Sequence, residues 1–296
     1  MPQYFSMAQN FSSSVSLNVD PRTGQFKPSV PFGEITGNCG LGPHIPISLQ
    51  YNPQNNENHG FGIGWSFAFA SFDVGNKVVN HPNGSSWALG SGQLSDGTYN
   101  IKYEKMKNFV FKRSNNGEYS IYSMSGDSVV FDATPKFFGS TSLCLPKRIV
   151  TSSGHSVSLT FDQNGRLTAI NDGDADKTTL ISISYLAQSA NLKFYPGKTF
   201  EQNFNFTLNL DYLTMVTSTS EELGNITWTF ETGLNKDNPQ RVQFGSHNTL
   251  LAINYPTGMR ESVVYNIGTY GLRLPGGATC LLLKSLLLIM VVDSLR

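Results

Sequence analysis

NFNFTLNLDY, residues 203–212, decides the fold class. Phe204, Phe206, Leu208, Leu210 and Tyr212 fall on one side of an extended chain, and Asn203, Asn205, Thr207, Asn209 and Asp211 on the other. Successive side chains of a strand point to opposite faces, so this alternation predicts a strand with one buried and one wet face. The pattern recurs on both sides. SVSLNV (14–19), PISLQY (46–51), SVSLTF (156–161), LISISY (180–185), ITWTF (226–230), LAINY (251–255) and SVVYNI (262–267) follow it. Between them lie turn-forming clusters such as HPNGSS, SNNG, DQNG and NDGDADK. No run of a dozen residues carries a helical stripe, and YLAQSANLKF (185–194) is the one candidate for a short helix. The expected architecture is all-β, built from antiparallel hairpins with little or no helix.

Composition agrees with that expectation. Of the 296 residues, 12% are aromatic and only 14% are charged, against roughly 25% charged in an ordinary soluble domain. The formal net charge is zero, which argues against a nucleic-acid or anionic-membrane partner. Cys39, Cys144 and Cys280 have neither metal spacing nor the even count of a disulfide framework, so buried free thiols are expected. The start, MPQYFSMAQNFSSS, lacks the basic and apolar parts of a signal peptide. Any export is then expected to follow a non-classical route, and the sequence does not assign a compartment.

A second stretch raises a local question. GFGIGWSF, residues 60–67, alternates Gly60, Gly62 and Gly64 with Phe61, Ile63 and Trp65. Read as an extended segment, it has one bare face, on which a neighbouring backbone or ring could lie directly, and one filled face. No helix follows to make a phosphate cradle. The expectation is a close-packed corner of a sheet.

In order along the chain come Asp20, Pro21, Thr23 and Gly24, then Gly37, Asn38, Gly42 and Pro43, then Tyr51 and Pro53, then Gly62, Gly64 and Trp65. This ordered set resembles the N-terminal segment of RHS-repeat (YD-repeat) proteins, which include toxin shells and insecticidal toxin-complex components. SLTFDQNGRLTAI (158–170) resembles one YD repeat, through Phe161, Asp162, Gly165, Arg166 and Leu167. INYPTGMRESVVY, with Tyr255, Gly258 and Arg260, is a looser relative. The resemblance implies a hollow β-shell that encloses or delivers a C-terminal toxin domain, here without that domain. It also implies partners among other parts of such a shell or toxin complex.

The organisation expected is an RHS-type β region over 1–145, YD-like hairpins over 146–270 and an aberrant apolar tail over 271–296. The tail's apolar block, Cys280 to Val292, is too short for a membrane span and is interrupted by Lys284 and Ser285. It is read as out-of-frame sequence, which makes the chain a truncated fragment. A membrane-touching tail and a buried C-terminal element are the rivals.

No catalytic constellation and no cofactor are expected. His44, His59, His81, His155 and His247 are scattered, and STSEE (218–222) lacks the paired glutamates of an ADP-ribosyltransferase. Asp172, Asp174 and Asp176 form a weak calcium candidate, with Lys177 standing where an EF-hand loop needs glycine. The functional alternative to a shell is a carbohydrate- or cell-surface-binding module, using Trp87, Tyr99, Tyr103 and Tyr119 as exposed stacking platforms.

Overall fold

A computed structural model describes residues 19–20, 25–82, 85–102, 109–138, 141–173, 177–220, 224–235, 238–241, 243–244, 247–266, 272–273, 279–280 and 282–290. The protein is nearly all β, in antiparallel sheets, and the described residues hold no α-helix. One sheet of 14 strands runs from Phe109–Arg113 through Tyr119–Ser123, Ser128–Phe131 and Pro146–Val150 to Met259–Asn266 and Leu282–Met290. Each strand in it pairs antiparallel with the next strand of the sheet, so the sheet is a meander. The chain re-enters this sheet just after residue 145. Thr141–Cys144 belongs to a second, six-stranded sheet, and Pro146–Val150 to the long one.

The alternation in 203–212 holds as far as the turn. Gln202–Asn209 is a strand with Phe204, Phe206 and Leu208 buried. Leu210 and Asp211 then take positive φ (48° and 66°) and reverse the chain, so Leu210 is 78% exposed and does not join the buried face. Tyr212 opens the returning strand, Tyr212–Ser220. The helix candidate at 185–194 is a hairpin: Tyr185 pairs with Ala190, and the Leu186 N–H donates to the Ser189 carbonyl. Its apolar residues Ile181, Ile183, Leu192 and Phe194 all face the core, and strand alternation prevails over the local helix propensity of LAQ.

Six reversals share one construction. At 94–98, 114–118, 123–127, 151–155, 162–166 and 255–259, the first N–H donates to the fifth carbonyl and the fourth N–H to the first carbonyl. The fourth residue is always glycine, with φ between +72° and +91°. A side chain at that φ is strained, which is why SNNG, DQNG and PTGM all place glycine there. The DQNGR stretch is thus one example of a turn used along much of the chain.

Two cores result. The larger lies between the long sheet and a three-stranded sheet of Ser29–Thr36, His44–Tyr51 and Trp65–Phe67. Phe32 sits edge-on to Phe204 and Phe206, at 5.2 and 5.3 Å between ring centres. The smaller joins the six-stranded sheet (Phe72, Val79, Leu89) to the first strands of the long sheet (Phe109, Phe111, Ile121, Phe131).

Cys144 lies in the smaller core as a free, buried thiol, as expected, but Cys39 is exposed on a 3-10 turn. Asn38 and Cys39 reverse the chain at positive φ, which turns the thiol out of the core. Burial pushes the Cys144 thiol up to about 11. At pH 8 iodoacetamide is therefore expected to label Cys39 in the native protein, and Cys144 only after unfolding. Peptide mass spectrometry reads both sites, and equal labelling of the two in the native state would contradict this packing.

Leu282–Met290, within the apolar tail, pairs antiparallel with Met259–Asn266 at the end of the long sheet. No helix among the described residues is long and apolar enough to cross a membrane.

Candidate functional site

The hairpins of the long sheet have turns on two opposite rims. Turns 162–166, 186–188 and 210–211 lie on one rim, with 151–155, 195–201 and the Asp172 end of Leu167–Asp172 on the other. The Ser29–Thr36 and His44–Tyr51 hairpin crosses the sheet between them, and each end of it is fastened to a rim.

At the second rim the Gly37–Pro43 loop closes on itself, with Gly37 N–H donating to the Pro43 carbonyl at 3.2 Å and Gly42 N–H to the Gly37 carbonyl at 2.8 Å. A Cβ on Gly42 would fall 2.7 Å from the Gly37 backbone, and one on Gly37 would fall 2.8 Å from Val157 Cγ1. The Asn38 N–H donates to Asp172 Oδ2 at 2.7 Å, and the Asn38 amide meets the His155 ring. Asp172 is therefore buried as an acceptor for this loop, while its partners in the calcium candidate, Asp174 and Asp176, lie outside the described residues.

The glycine-aromatic segment is fastened to the first rim. It is not the extended strand its alternation suggests. Gly60, Gly62 and Gly64 take φ of +96°, +96° and +86°, and the strand begins only at Trp65. A Cβ on Gly60 would overlap the Tyr185 ring at 2.3 Å. One on Gly62 would fall 2.7 Å from the Leu213 amide nitrogen, and one on Gly64 2.6 Å from the Tyr51 ring. The close approach to backbone and ring holds, while the geometry behind it is a left-handed path. The Ile63 N–H donates to the Asp211 carbonyl at 2.8 Å, and Asn58 Oδ1 accepts from the N–H groups of Gly60 and Gly62. Phe61 and Trp65 enter the larger core, Trp65 beside Tyr51 and edge-on to Phe230, both at 5.2 Å. The Tyr51 hydroxyl, buried and held neutral, accepts from the Leu250 N–H at 3.0 Å. Pro53 is buried just after it.

Beside Gly60 stands the turn that resembles a YD repeat. Asp162 accepts from the Arg166 backbone N–H and from its Nε, both at 2.8 Å. The Arg166 guanidinium lies 4.5 Å above the Tyr185 ring, whose hydroxyl donates to the Leu167 carbonyl at 2.7 Å. Gly165 leaves its Cα bare under Phe138, whose ring a Cβ there would meet at 2.3 Å. His59 packs against Phe138, with ring centres 4.9 Å apart. Burial lowers the His59 pKa, with Glu57 opposing the shift.

A cleft of about 720 Å³ lies between the 52–59 loop, the Lys136–Phe138 strand and the 162–167 turn, lined in part by His59, Phe138, Gly165, Arg166 and Tyr185. Half-exposed Phe67, Phe69, Phe138 and Phe161 form its apolar part. Asn52, Gln54, Asn55 and Asn56 form its rim. The structure thus brings Phe61, Phe161, Gly165 and Arg166 to one place, with Gly60 behind it against Tyr185 and Arg166. It does not bring Asp20 or the Gly37–Pro43 loop there, and Pro21, Thr23 and Gly24 lie outside the described residues. The loop amides and Phe138 went unremarked in the sequence, and His59 stood there only as one of five scattered histidines. The only trace of Phe138 there is the glycine of DQNG, which its turn requires anyway.

The aromatics considered as sugar platforms are placed differently. Tyr119 is buried, stacked on Phe111 at 5.8 Å, and Trp87 and Tyr99 pack on Phe109 and Phe111. Their rings serve the smaller core, because strand alternation turns them inward. Tyr103 lies outside the described residues.

The fold and its fastenings define a long antiparallel β-meander crossed by a smaller sheet that is pinned at both rims. No protein-family model matches the chain, and no curated protein matches it in sequence. Among solved structures the chain is similar to the crystal structure of TcdB2-TccC3, with TM-score 0.46 and 13% identity over 93% of this chain and 20% of that one. It is also similar to the N-terminal domain of effector protein SpvB from Salmonella typhimurium strain LT2, with TM-score 0.37 and 13% identity over 88% and 99% of the two chains. The chain thus spans about a fifth of the TcdB2-TccC3 chain it matches.

Proposed function

We propose that the chain is a non-enzymatic wall segment of a larger RHS-type β-shell, a shell that encloses or delivers a toxin domain carried elsewhere. One observation supports the reading. The residues that resemble the family's N-terminal segment fasten the crossing hairpin to both rims of a meander, through Asn38 with Asp172 and Ile63 with Asp211. A meander of neighbour-to-neighbour hairpins grows by adding hairpins at its end, and a sheet pinned across it fixes its curvature at the start. The partners on this reading are the remaining parts of the shell or toxin complex.

The test is the native size and form of the particle that contains the chain, by gel filtration and electron microscopy of material from its source. A hollow particle several times larger than 32.5 kDa supports the proposal. A solid monomer of 32.5 kDa overturns it.

A further inference from the structure

We propose that the cleft between the 52–59 loop, Phe138 and the 162–167 turn binds a neutral oligosaccharide. The inference does not depend on the shell reading. Its argument begins with the rim. Asn52 Oδ1 accepts from the Gln54 N–H, and Asn55 Oδ1 from the Glu57 N–H, both at 3.1 Å. Those two turns occupy the amide oxygens and leave the Nδ2 donors of Asn52 and Asn55 without a partner among the described residues. The side-chain amides of Gln54 and Asn56 are likewise unbonded there. A row of amide donors thus stands at the mouth of a cleft with aromatic walls.

The charge in the cleft narrows the ligand class. Its one arginine is committed, with Nε on Asp162 and the guanidinium over Tyr185. His59 is held toward its neutral form by burial, and Glu57 adds a negative charge at the rim. A phosphate or carboxylate finds no free cation here among the described residues, and a lipid chain would bury the amide donors unpaired. A pyranose suits both parts: its C–H faces lie on aromatic rings and its hydroxyls accept from amides. The volume, about 720 Å³, falls within the ~300–1,000 Å³ range of ordinary ligand clefts and accommodates more than one ring.

The test applies the whole chain to an array of neutral and acidic oligosaccharides, with each hit measured again by saturation-transfer NMR. The double variant Gln54→Ala, Asn56→Ala changes only exposed side chains, and unchanged thermal unfolding confirms that it folds. Binding of neutral glycans, weakened about tenfold or more in the double variant, is expected. Three outcomes overturn the proposal: no neutral glycan binding up to about 10 mM, a preference for acidic glycans, or unchanged affinity in the double variant.

Discussion

Replacing Trp65 by alanine is expected to lower the unfolding free energy by about 3–5 kcal/mol in urea titration. The indole is 1% exposed and fills the space between Tyr51 and Phe230, so its loss leaves a cavity bounded by two sheets. Neither wall can close on it easily. Tyr51 is held by its bond from the Leu250 N–H, and Phe230 by the ladder of Gly224–Thr232 with Leu250–Asn254. Trp65→Phe keeps most of the volume and is expected to lose less than half as much. A loss below about 1 kcal/mol in Trp65→Ala would show that the ring packs on nothing essential.

Gly62→Ala is expected to cost about 3 kcal/mol or more, a large effect for the addition of one methyl group. Two causes add. The φ of +96° is unfavourable for alanine, and the new Cβ would meet the Leu213 amide nitrogen at 2.7 Å. That neighbour is backbone in a paired strand and cannot rotate away as a side chain could. The segment must then lift off the rim, which breaks the bond from the Ile63 N–H to the Asp211 carbonyl. Hydrogen exchange distinguishes this from general destabilisation: the Ile63 amide should lose protection at denaturant concentrations where the amide of Ile181 keeps it. Gly40→Ala is the control, since φ there is also positive (+93°) but a Cβ meets nothing within 4 Å.

The all-β fold was legible because alternation is a local property. Residues 204, 206 and 208 needed nothing beyond their own spacing to declare a buried face. The error at Leu210 has the same source. Alternation continues through NLDY in the letters, but the chain turns there, and a Leu-Asp reversal at positive φ carries no Asn-Gly signature. In GFGIGW, period-two spacing was read as a strand, whereas the glycines mark positive φ. Spacing alone does not separate these cases, since both place bare residues at alternate positions. The cleft was not legible at all. It joins residues 52–59, 138 and 162–167, and only tertiary packing decides that these meet. Trp87, Tyr99 and Tyr119 were conspicuous in the sequence for the same reason that they pack on the smaller core: large rings are what a small core between two sheets needs.

The pinned crossing hairpin has a consequence for how the chain acquires its structure during synthesis. Asn38 bonds to a residue 134 positions later, and Tyr51 to one 199 positions later. The ribosome delivers the chain from the N-terminus, so the crossing hairpin emerges long before either anchor exists. Phe32, Ile35, Ile47 and Trp65 stay without their cover until most of the meander has been made. Loop closure over such distances is slow, and apolar strands left waiting are open to wrong pairings. Maturation of the N-terminal segment is therefore timed by the arrival of residue 250, and a ribosome stalled before that point would hold its most adhesive stretch exposed.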